Sequence, residues 1–264
     1  MNSKLPPLNI YINFIKNNCL NKTLPSVFNI LHSNFTFLPK YNCCETVNFN
    51  SNKRAKYIIN NYHKNFGITF SSKDHGKEGK MIEKFIFDIE PNSNNMPDLG
   101  DIDIKSTKLK RKTKAGASNE NRASNENSLC NNQFLWINNY SVKNKLSITT
   151  AGSLNNYDSF NNILENSLLE NTKYYLKIKK GLLFVLEDQT NILLNVILYD
   201  IEELPNEVQK QIQKDYELIR NLIINKNINS QKQMYLQIGR ATQKNTFVFS
   251  FSPKLISFII NFYS

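Results

Sequence analysis

The sequence predicts an α/β fold, with one central mixed β-sheet flanked by helices. Three observations carry the prediction. GLLFVLED (181–188) and NILLNVILYD (191–200) are apolar runs of strand type, long enough to lie at a sheet centre. PNEVQKQIQKDYELIRNLIINK (205–226) reads as a long helix opened by Pro205. The order of elements is helices first, then strands and helices interleaved, which suits α/β better than separate α and β regions.

The individual elements follow from spacing. Residues 9–18 and 52–65 place apolar side chains at helical intervals, so 1–70 reads as a helical N-terminal extension. GKEGKMIEKFIFDIE (76–90) is a stronger helix, because Met81, Ile82, Phe85, Ile86 and Ile89 form one stripe. Asp74 is placed to cap its start, and Pro91 with the NSNN that follows is expected to end it. DIDIKST (101–107) alternates, so a strand is expected with Ile102 and Ile104 on one side. Asp101, Asp103 and Lys105 then share the other, solvent-facing side. Lys105 to Lys114 holds six Lys/Arg in ten residues, and ASNEN occurs at 117–121 and again at 123–127. Residues 108–130 therefore read as a flexible, basic, repeat-bearing loop insertion. QFLWIN (133–138) and KLSITT (145–150) read as short strands, and DSFNNILENSLLE (158–170) as a helix. MYLQIGRA and NTFVFSFS give two more strands, and PKLISFIINFY closes the chain as a helix. No linker divides the sequence, so residues 1–264 are expected to form a single domain.

Bulk properties narrow the function classes. Thirty-three Lys+Arg against 22 Asp+Glu leave a net charge of +11. That balance suits an anionic partner, whether nucleic acid, an acidic protein or an anionic membrane surface, beside its ordinary use for solubility. The four cysteines include no C-x-x-C pair, so free buried thiols in a reducing cytoplasm are expected, not a disulfide or zinc framework. The N-terminus lacks an apolar signal region, and no apolar run reaches the roughly 18 residues a membrane helix needs. The expected location is the cytoplasm, with no membrane partner. His32, His63 and His75 are too scattered for a histidine-based nuclease motif. No G-x-x-x-x-G-K-[ST] phosphate loop or G-x-S-x-G elbow occurs.

What remains is MPDLGDIDIKSTK (96–108), where acid sits against the most basic segment of the chain. Pro97-Asp98 followed by Asp103-Ile104-Lys105 is a PD-(D/E)XK pattern. Mg²⁺ is a hard cation that takes one or two carboxylates, with water and phosphate oxygens completing its shell. Asp98 and Asp103 would supply carboxylates, and the carbonyl of Ile104 another oxygen. Lys105, two residues beyond Asp103, lies on the same strand face. Its ammonium would orient the attacking water and offset charge in the transition state.

GKEGKMIEKF, PDLGDIDIKSTK, YYLKIKKGLLFVLED and MYLQIGRATQKNTFVFSFSPKLISFII together resemble MutH-like endonucleases, over roughly residues 73–264. That family joins the mismatch-repair nickase MutH to type II restriction enzymes, with the MvaI/BcnI group as cousins. The resemblance implies a restriction-endonuclease-like domain, Mg²⁺ as cofactor, and Glu83 as the helix glutamate of the metal site. It implies Lys177 as a second catalytic lysine ahead of a hydrophobic strand. Arg240 or Lys244 falls where such enzymes meet bases, beside Gln237 and Gln243, while Lys110 and Arg111 in the basic segment would meet the backbone. Asp103 stands where the family usually has Glu, and its spacing from Asp98 is short. The implied function is Mg²⁺-dependent, sequence-specific hydrolysis of double-stranded DNA leaving 5′-phosphate ends. Such an enzyme would work as a homodimer or on each strand in turn, beside a cognate DNA methyltransferase. The alternatives are a repair nickase and, from another class, a non-catalytic basic nucleic-acid-binding module.

Overall fold

The computed structural model describes residues 6–36, 38, 77–90, 96–112, 139–228, 233–241 and 245–264. It is α/β, with a mixed sheet flanked by helices. Two compact units can be distinguished, Met1–Asn94 with Phe184–Val196, and Asn95–Leu183 with Ile197–Ser264.

The first unit holds α1 (Leu8–Cys19), α2 (Leu24–Asn34) and α3 (Lys77–Phe87). Each buries an apolar stripe, such as Tyr11, Ile12, Ile15 and Cys19 on α1. Tyr11 fixes α1 to the end of α3. Its hydroxyl donates to the Ile86 carbonyl at 2.5 Å, and its ring meets Phe35 and Phe87 edge-on. α2 lies within the helical extension expected over 1–70 but outside the segments 9–18 and 52–65 that spacing singles out, although Thr23 and Pro25 mark its start well. α3 stops at Phe87, ahead of the expected break at Pro91. Asp88 turns into the left-handed region (φ 54°), and the Ile89 N–H closes onto the Glu83 carbonyl at 3.0 Å. The expected helix at 52–65, the Asp74 cap, the 113–130 part of the loop insertion and the strand at 133–138 lie outside the described residues, while residues 108–111, expected in that loop, belong instead to the strand Asp103–Arg111.

β1 (Asp103–Arg111), β2 (Tyr140–Val142), β4 (Lys180–Glu187) and β5 (Leu193–Asp200) form a four-stranded sheet in the order β2-β1-β4-β5. In addition, β3 (Leu146–Ser153), β7 (Thr246–Phe251) and β6 (Leu236–Arg240) make a three-stranded antiparallel sheet. In the second unit, helices α4 (Asn161–Glu165), α5 (Tyr175–Lys179), α6 (Asn206–Ile224) and α7 (Pro253–Tyr263) accompany these strands. Ser252 caps α7 through its hydroxyl and the Leu255 N–H.

The helix expected over 158–170 is broken. A 3₁₀ turn (Tyr157–Phe160) leads into the five-residue α4, and Asn166 is already extended. The cause is tertiary. One face of α6 captures the carbonyls that a longer helix would use internally. Arg220 donates twice to Leu164, at 2.7 and 3.1 Å, Tyr216 donates to Ile163 and Asn166, and Gln213 donates to Ser167.

Candidate active site

The turn before β1 sets the first carboxylate. Gly100 adopts φ +83°, which glycine enters without steric cost, and the Leu99 N–H closes on the Ile102 carbonyl at 2.9 Å. That folds Asp98 back onto the strand start, where its Oδ2 accepts from the Ile104 N–H at 2.9 Å. One backbone hydrogen bond thereby ties Asp98 to the residue that follows Asp103. Asp101 does not lie on the strand. It is exposed ahead of it and pairs with Lys180 at 3.5 Å.

Asp103 overturns the expectation of a solvent-facing acid. It is 0 % exposed, and Thr107 and Leu109 on the same strand face are buried too. β1 lies between β2 and β4 rather than at an edge, and strands inside a helix-flanked sheet are covered on both faces. The alternation of Asp and Ile gives the strand correctly but not which face is covered.

Two cations converge on the buried carboxylate. Lys105 forms an ion pair with Asp103 Oδ2, and the Lys177 Nζ stands 3.7 Å from Oδ1. Lys177 reaches it because α5 runs straight into β4, the strand beside β1. Burial pushes the Asp103 carboxyl above its ordinary pKa, against the opposing pull of Lys105 and Lys177, and the charge of Asp98 adds to the rise. Among the described residues neither Asp103 oxygen has a hydrogen-bond donor of regular geometry.

Glu83 is half-buried on α3, in the first unit. Lys110 and Arg111 are exposed at the far end of β1, roughly 25 Å from Asp103 at the usual rise per strand residue. There the Arg111 guanidinium lies over the Tyr140 ring. A groove of about 580 Å³ opens beside it, with Lys112 and Lys254 among its lining residues. Arg240 is exposed at the end of β6, its guanidinium 5.9 Å from the centre of the Phe247 ring. Gln237 donates to the Gln233 carbonyl at 3.3 Å, so part of its hydrogen-bonding capacity is used internally. Gln243 and Lys244 lie outside the described residues.

Asp98 and Asp103 are the pair that could hold a hard divalent cation, since two carboxylates suffice for Mg²⁺ when water and phosphate supply the rest. The oxygens of Asp103 without regular donors fit such a role. The Lys105 ammonium already supplies positive charge at one of them. Among the described residues no group of three or more His, Cys, Asp or Glu gathers to hold a metal.

Sequence reasoning missed two residues beside this centre. Gly181 is the second residue of β4, and a Cβ built on it would meet the Tyr199 Oη at 2.5 Å and Cζ at 2.7 Å. The signal was a glycine inside an otherwise bulky strand, which often marks close approach by another group. Gly181→Ala should therefore force the Tyr199 ring aside and destabilise the fold by about 1–3 kcal/mol, as overpacking does. Urea denaturation checks this, and an unchanged midpoint would show that the ring has room to spare.

No helix of the described residues is long and apolar enough to cross a membrane. Comparison with protein-family models gives no match, and comparison with curated proteins gives none either.

Proposed function

We propose that the chain is a Mg²⁺-dependent DNA endonuclease of the type II restriction kind. The observation that carries this reading is the convergence of Lys105 and Lys177 on buried Asp103, with Asp98 tied to the same strand start. The net charge of +11 supports a polyanionic substrate. The cations at the far end of β1, with Lys112 and Lys254 in the adjoining groove, give a duplex further backbone contacts.

Asp98, Asp103 and the Ile104 carbonyl would hold the metal, which when bound supplies positive charge against the transition state. Lys105, as an ammonium, would orient the attacking water, whose proton is released to solvent. Lys177 would neutralise a non-bridging phosphate oxygen. The water oxygen forms a bond to phosphorus as the bond to the 3′ oxygen breaks. The leaving oxygen gains a proton, giving 5′-phosphate and 3′-hydroxyl ends. One such centre cuts one strand, so a double-strand break requires a homodimer or two successive events.

A second reading has its own observation. Asp103 is sealed from water between two lysines, as in a purely structural ion-pair cluster, and this favours a non-catalytic nucleic-acid-binding module. Plasmid DNA of known sequence, incubated with the protein and Mg²⁺, separates the two. The proposal expects defined double-strand ends carrying 5′-phosphate and no cleavage in EDTA. Nicks alone would move the reading toward a repair nickase. Intact plasmid with Mg²⁺ or Mn²⁺, despite salt-sensitive binding, would leave only the binding module.

A further inference from the structure

Tyr199 has no role in the mechanism proposed for Asp103, yet it stands in the same sheet, two strands away. It lies on β5, and the sheet order puts β4 between it and β1. Two strand spacings, about 10 Å, separate β5 from β1. A tyrosine on β5 can lie over β4, part of the way to β1, only where the intervening strand offers no side chain. Gly181 meets this condition. The Tyr199 hydroxyl and the tip of its ring occupy the space where a Cβ on Gly181 would stand. The ring is held there by packing, with its centre 6.0 Å from that of Phe251.

The hydroxyl is buried and has no hydrogen-bond partner among the described residues. Both oxygens of Asp103 are likewise buried without a hydrogen-bond donor of regular geometry. A buried hydroxyl left unpaired destabilises the folded chain, a cost that a side chain used only for packing would avoid as phenylalanine. The charge of Asp103 also acts on the phenol, raising its pKa further after burial has raised it.

We infer that Tyr199 is a positioning residue for Asp103, its hydroxyl crossing Gly181 to fix the carboxylate directly or through one water when that carboxylate takes a cation. The inference rests on the metal reading of Asp103. A group that orients a metal ligand without touching the metal tunes affinity, and its loss typically costs 10- to 100-fold.

The test is calorimetric titration of the full chain with Mn²⁺, comparing wild type, Tyr199→Phe and Asp103→Asn, with melting temperature measured on each. Phenylalanine keeps the ring and its packing and removes only the hydroxyl. Expected are Mn²⁺ binding by wild type, none by Asp103→Asn, and binding about tenfold or more weaker in Tyr199→Phe with no lower melting temperature. Wild-type affinity in Tyr199→Phe, beside a loss in Asp103→Asn, overturns the inference and leaves the metal reading standing. Absence of wild-type binding, or equal binding by Asp103→Asn, overturns both. A Tyr199→Phe protein that melts well below wild type with its Mn²⁺ affinity intact assigns the hydroxyl to stability alone and also overturns the inference.

Discussion

Asp103→Asn is expected to bind duplex DNA and to show no measurable Mg²⁺-dependent cleavage, a loss of at least about a thousandfold, at the upper range for one preorganised electrostatic group. Asparagine has nearly the same shape as aspartate, so the strand and its packing are retained. What it lacks is charge. It offers one neutral oxygen where a hard cation needs a carboxylate. It also leaves Lys105 and Lys177, with side chains 14 % and 11 % exposed, without the anion that both face. Removing one partner of a buried pair usually costs about 3–5 kcal/mol, so the melting temperature should fall as well. DNA binding and far-UV circular dichroism, measured below the transition, keep the loss of chemistry apart from the loss of fold. Cleavage within tenfold of wild type would remove Asp103 from the catalytic centre. Lys105→Ala differs in kind, because it removes the direct counter-ion and leaves the buried carboxylate to Lys177 alone at 3.7 Å.

The pattern of this centre was legible because its members are near in sequence. Asp98, Asp103 and Lys105 fall within eight residues, and period 2 places the last two on one strand face. Lys177 is 72 residues beyond Lys105, and it came from a family resemblance, not from spacing. Burial of Asp103 was not legible, since alternation alone does not say which face of a strand is covered. That depends on β1 lying inside a sheet, a property of strand order. The same limit explains α4. Local propensity in DSFNNILENSLLE favours one continuous helix, and side chains from α6 end it by taking its carbonyls. Strongly apolar segments were easier. β4, β5, α6 and α7 each lie within a residue or two of the bounds that apolar runs and prolines predicted.

Asp215 looks in the sequence like one more charge on a polar helix, and its replacement should have a large effect on stability. It is 0 % exposed, among the apolar stripe of α6 that includes Ile212, Tyr216 and Ile219. Its carboxylate accepts three successive backbone N–H groups, from Met234 at 2.9 Å, Tyr235 at 2.5 Å and Leu236 at 3.0 Å. Gln211 donates to it as well, at 3.0 Å. The three amides belong to the approach and first residue of β6, so one side chain fixes where that strand begins. Asp215→Ala leaves these amides without their acceptor, the Leu236 N–H in a buried place and the other two in partly buried ones. Each such group costs about 1–3 kcal/mol, and with partial relaxation a total loss of about 4 kcal/mol is expected in urea denaturation. Asp215→Asn, which keeps one acceptor but turns an NH₂ toward the amides, should lie between alanine and wild type. A loss below about 1 kcal/mol for alanine would mean that the amides find other partners. Because Gln237 and Arg240 lie on β6, the same variant separates two contributions to DNA binding. At temperatures where it remains folded, Asp215→Ala should weaken binding to DNA through a displaced β6 and leave the Mn²⁺ affinity of the Asp98–Asp103 centre unchanged.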